Sequence, residues 1–68
     1  MSKHKKKFGV YHWDTFDNTS LFLKDFDTEE EAEAFVHERY AGRIRSTGAD
    51  RVDIVEGPGH VVQSFSVS

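Results

Sequence analysis

A chain of 68 residues holds one hydrophobic core and no second domain, and a domain near 60 residues buries only about 60% of the surface its unfolded chain exposes. With no cysteine, no disulfide staples the fold and no thiolate is on hand to hold a metal or act as a nucleophile. The net charge of −3 is unevenly spread: residues 1–7 hold four of the nine Lys and Arg, and residues 8–68 hold the other five with all twelve Asp and Glu, a charge of −7.

The first seven residues, Met1-Ser2-Lys3-His4-Lys5-Lys6-Lys7, form a basic tail expected to be mobile, ahead of a single domain over 8–68. No apolar run follows the lysines, so the tail does not read as a secretory signal, and no run approaches the roughly 20 residues of a spanning helix. The expectation is a cytoplasmic protein that does not engage membranes, which the lack of cysteine suits.

Phe8 to Phe16 is rich in aromatic and β-branched residues and predicts a strand. Phe8, Val10, His12 and Phe16 fall on one side, with Tyr11, Trp13 and Thr15 on the other, so both sides carry aromatic area. Asp17-Asn18-Thr19-Ser20 reads as a turn, because Asp and Asn accept left-handed backbone and bond their own main chain. Leu21 to Phe26 returns as the second strand of a hairpin. Leu21 and Leu23 share one of its faces and Phe22 and Phe26 the other, so alternation does not choose between them.

Thr28 with Glu31 forms a capping box, and Glu29, Glu30 and Glu31 stand at the positive end of the helix dipole. At 100° per residue Ala32, Phe35, Val36 and Tyr40 make one apolar stripe, with Glu30, Ala34, His37 and Ala41 facing outward. Gly42 weakens the last turn, and Ser46-Thr47-Gly48 is expected to end the helix. Arg51 to Glu56 alternates as a third strand, with Val52 and Ile54 on one face and Val55 on the other. Gly57-Pro58-Gly59-His60 is a turn. In the fourth strand Val61, Phe65 and Val67 share a face opposite Val62, Ser64 and Ser66. The fold class is α+β: a ββαββ chain with one helix on one face of a four-stranded antiparallel sheet.

The short first hairpin, the Thr28-x-x-Glu31-Ala32 helix start, Gly48-Ala49-Asp50 before an apolar strand and the glycine turn before the last strand together resemble small bacterial ββαββ domains of unknown function. The resemblance covers about residues 8–67. It implies the fold and brings no catalytic residues. The Pro58 turn and the Trp13 strand are not features matched to that group.

His4, His12, His37 and His60 are scattered and lack H-x₃-H or H-E-x-x-H spacing, so neither a metal nor a cofactor is expected. His12 reads as an edge or rim histidine and His60 as an exposed one. Ser and Thr sit in turns, at the cap and along the last strand, each with a structural reason, so no enzyme is expected. The Gly57-Pro58-Gly59 turn has no following helix to hold a phosphate.

Arg39 and Arg43 fall within the apolar stripe and read as stems snorkelling over aromatic surface, or, with Arg45, as an anion or nucleic-acid contact. If Phe8, Val10 and Phe16 pack under the helix, Tyr11 and Trp13 lie on the uncovered sheet face. They would shield the sheet, bury against a second subunit or another protein, or stack unpaired bases. A domain charge of −7 repels phosphates, so a homodimeric, non-enzymatic interaction module is the leading expectation. A single-stranded nucleic-acid binder using Lys5, Lys6, Lys7, Tyr11 and Trp13 is the alternative.

Overall fold

The computed structural model describes residues 5–44 and 48–67, in the order β1 (Phe8–Asp14), β2 (Thr19–Phe26), α1 (Glu29–Arg39), β3 (Asp50–Glu56) and β4 (His60–Val67). All neighbouring strands are antiparallel, and the sheet order is β2-β1-β3-β4. The two hairpins therefore meet through β1 and β3, and α1 bridges them across one face. This is the expected ββαββ architecture.

The core lies between α1 and the sheet. Val10, Ala32, Val36, Val52, Ile54 and Val67 are fully buried, joined by Phe8 and Tyr40, while Leu23, Phe26, Phe35, Ile44, Val62 and Phe65 pack around them. The helix stripe is as the spacing requires. Thr28 caps it, its hydroxyl accepting the Glu31 N–H at 3.2 Å. The return half of the box differs: the Glu31 carboxylate accepts from the Thr28 hydroxyl at 3.3 Å.

Four local readings are corrected. β1 stops at Asp14, whose carboxylate accepts the N–H of Phe16 at 2.9 Å and of Asp17 at 3.4 Å, starting the turn two residues early. Phe16 is thereby placed in the turn, 94% exposed, and not under the helix. Thr19 and Ser20 belong to β2, and His60 opens β4 opposite Glu56.

The helix ends at Arg39, earlier than expected. Tyr40 caps it, and Gly42 at φ 77° takes a left-handed conformation that turns the chain away. Ser46 and Thr47 lie outside the described residues. Gly48 has a different role: a Cβ there would collide with the Val67 backbone, so this close approach requires glycine.

The other two corrections come from register shifts. One lies in the β1–β2 pairing between Val10 and Tyr11, opposite Leu23. It sends Phe22 to Tyr11 on one face and Phe26 to Phe35 of α1 on the other, although Phe22 and Phe26 share parity. A second shift between Ile54 and Val55, opposite Val62, leaves Val61 exposed and packs Val62 on the core, the reverse of the alternation reading.

Candidate functional site

The pairing registers arrange the face opposite α1 in three cross-strand rows. Asp25, Gly9, Val55 and Val61 form the first, Phe22, Tyr11, Asp53 and Ser64 the second, and Ser20, Trp13, Arg51 and Ser66 the third. The half built by β2 and β1 is aromatic. Tyr11 and Phe22 pack with ring centroids 5.4 Å apart, and Trp13 follows two residues along β1, half-buried. On β3 and β4 the second and third rows are polar, where Asp53 accepts from Arg51 Nε at 3.1 Å and from the Ser64 hydroxyl, and the first row is Val55 and Val61. Among the described residues no helix packs over this face; at its Phe8 end the Lys5–Lys6 backbone lies against Asp25 of the first row. α1 meets β1, β2 and β3 through Val10, Val52, Ile54 and their row-mates, on the opposite side.

Tyr11 and Trp13 are thus brought together on one face, and the structure adds Phe22, Arg51 and Asp53 to them. Sequence alternation missed Phe22 because the shift at Val10/Tyr11 was not visible in it. Arg51 and Asp53 become site residues only through the pairings Trp13↔Arg51 and Tyr11↔Asp53.

The cations of the sequence reading are elsewhere. Arg39 and Arg43 lie on the helix side, their guanidinium groups 5.8 and 5.4 Å from the Tyr40 ring, with Arg39 also 6.0 Å from Phe35. That is the snorkelling arrangement. Arg45, Lys3 and His4 lie outside the described residues. The Lys5 and Lys6 backbone N–H groups donate to Asp25 at 2.9 and 3.1 Å, holding its carboxyl below the usual carboxylate range. Lys7 reaches Glu56 at 3.4 Å and its carbonyl accepts the Gly57 N–H. Lys5, Lys6 and Lys7 therefore stand at the Phe8 end of β1, and Trp13 at the other.

His12 is no rim residue. Its Nδ1 lies 2.7 Å from the Tyr40 hydroxyl and its Nε2 3.1 Å from Asp50. A carboxylate only accepts, so Nε2 carries a proton toward Asp50, and where Nδ1 carries none it accepts from the Tyr40 hydroxyl. Asp50 also takes the Thr15 hydroxyl at 3.3 Å, and the His12 bond is the main cause of a carboxyl held below its usual range. This Tyr–His–Asp–Thr chain ties the end of α1 to β1 and β3. Both ring nitrogens are engaged and Tyr40 is 3% exposed, so the group holds these elements together.

A shallow groove of about 590 Å³ runs between α1 and β2, lined by Phe26, Phe35, Ala34 and the charges Lys24, Arg39, Glu31 and Glu38. Two cations and two carboxylates share its rim, so it has no net preference for either sign. Among the described residues no three His, Asp or Glu gather as a metal site, and no helix is long and apolar enough to cross a membrane. No family model, curated protein or solved structure matches the chain.

Proposed function

We propose that this protein is a small non-enzymatic interaction module, cytoplasmic, that forms a homodimer through the sheet face opposite α1. The observation that carries this reading is the group of three aromatic side chains, Phe22 against Tyr11 with Trp13 two residues along β1, on a face over which no described helix packs. Apolar surface left in water costs roughly 25 cal/mol per Å², and aromatic residues are the usual anchors of protein contacts. A second copy is the occupant that charge favours. Residues 8–68 carry −7, which opposes a polyanion, and Arg51, the cation that the described strands place on this face, has Asp53 beside it.

The test is sedimentation equilibrium over a concentration series, with and without a mixed single-stranded oligonucleotide. The wild type is expected to be dimeric at high micromolar concentration, and Trp13→Glu monomeric, because it puts an unpaired charge into the contact. Far-UV circular dichroism of the variant separates dissociation from unfolding. A wild type that stays monomeric at high micromolar concentration overturns the reading. If that monomer instead binds the oligonucleotide with quenching of Trp13, the nucleic-acid reading replaces it.

A further inference from the structure

Two copies meeting through one face do so about a two-fold axis, and the pattern on this face limits where that axis can run. In its second and third rows the aromatic side chains stand on β2 and β1 and the charged and hydroxyl groups of Asp53, Ser64, Arg51 and Ser66 on β3 and β4, with Arg51 and Asp53 in adjacent rows of the same strand. Resting on the self-association proposed above, we infer that the axis runs across the strands, midway between the Tyr11–Asp53 row and the Trp13–Arg51 row. Each copy then sets its Arg51 against Asp53 of the other, and its Trp13 against Tyr11 of the other, twice over by symmetry.

The neighbouring placements are worse on the same map. An axis centred on the Tyr11–Asp53 row sets Asp53 against its own copy, and one centred on the Trp13–Arg51 row sets Arg51 against itself. Both place like charges face to face between two sheets, where repulsion is least screened. An axis running along the strands between β1 and β3 sets Trp13 on Arg51 and the ring of Tyr11 on Asp53. Only the axis midway between the two rows pairs aromatic with aromatic and opposite charge with opposite charge.

Arg51 and Asp53 keep charged atoms for such a pairing. Within the chain Arg51 uses Nε, and both the Arg51 and Ser64 contacts fall on Oδ1 of Asp53. That leaves the two terminal guanidinium nitrogens and Oδ2 for the partner. Arg51 is 54% exposed at the side chain and so can reach across, while Asp53 is 13% exposed and sits at the foot of the face. Packed sheets stand about 10 Å apart, a gap that one extended arginine bridges.

Complementary single variants test the register directly. Arg51→Glu gives a face with two carboxylates and Asp53→Lys a face with two cations. Each alone is expected to lose self-association by at least about tenfold, since like charges then oppose each other. Mixed in equal amounts at physiological salt, the two should form a heterodimer, which an intrachain role of the pair cannot produce. Should Asp53→Lys fail to fold by circular dichroism, a chain carrying both Arg51→Asp and Asp53→Arg keeps the internal pair. That chain should dimerise with itself and exclude the wild type, as read by native mass spectrometry of a mixture. A dimeric wild type whose variants neither lose self-association nor sort by charge overturns the register and leaves the dimer standing. A monomeric wild type removes both.

Discussion

Replacing Tyr40 with phenylalanine isolates one hydrogen bond in the fold. The ring stays in its 3%-exposed site between Arg39 and Arg43, and only the hydroxyl 2.7 Å from His12 is lost. A neutral hydrogen bond contributes about 0.5–1.5 kcal/mol net, and a buried acceptor left alone costs about 1–3 kcal/mol. The His12 side chain is 19% exposed, so water compensates Nδ1 in part, and the expected loss is about 1–2 kcal/mol. For a domain this small, each kcal/mol lowers the melting temperature by about 4–8 °C. Urea titration followed by circular dichroism at fixed protein concentration measures it, with an unchanged slope. In a His12→Ala background the same substitution should cost nothing, because its partner is already gone. An unchanged midpoint in the wild-type background would refute the Tyr40–His12 bond as a structural tie.

Two further outcomes follow from the structure. Val62→Ala should destabilise by about 1–2 kcal/mol and Val61→Ala by less than about 0.5 kcal/mol, since the bulge turns Val62 to the core and Val61 to water; the reverse order in chemical denaturation would remove the bulge. Asp25 has its carboxyl lowered by the Lys5 and Lys6 N–H groups, so the unfolded chain binds its proton more readily. Its stabilisation is present above about pH 4 and is lost as pH falls through the lower folded value, and Asp25→Asn should flatten the midpoint-against-pH curve in that window.

How much was legible before the fold was known depends on what each signal measures. The helix was readable because Thr28, Glu31 and the Ala32–Val36–Tyr40 spacing are local and agree with one another. The strands and the ββαββ order followed from β-rich runs cut by turn residues. Facing was lost wherever a strand carries an extra residue. Leu23 and Val62 each break a period of two without any mark in composition, so Phe22 and Val61 were assigned wrongly or not at all. Phe16 failed for another reason: Asp14 competes for the backbone through its own side chain and ends the strand sooner than the apolar pattern does. The candidate face was half visible. Tyr11 and Trp13 come from one strand's alternation, whereas Arg51 and Asp53 join them only through the β1–β3 register, a contact between segments some forty residues apart.

The uncovered face is a consequence of size as much as of sequence. An 11-residue helix is about 16 Å long at 1.5 Å per residue, and the 8-residue strands beneath it run about 27 Å. One such helix serves one side of a four-stranded sheet and no more, so the other side must be made polar or be covered by something else. On β4 the polar solution is visible, with Ser64 and Ser66 facing outward. On β1 and β2 it is not: Tyr11, Trp13 and Phe22 occupy the positions that a solitary domain would fill with Thr, Ser or Lys. In the Tyr11 and Trp13 rows the divide between aromatic and polar side chains thus falls between β1 and β3, where the hairpins join. In the dimer proposed above, a second copy covers the aromatic residues of each with the aromatic residues of the other. It also makes the stability of a marginal fold depend on its own concentration, which ties folding to association in a single measurable equilibrium.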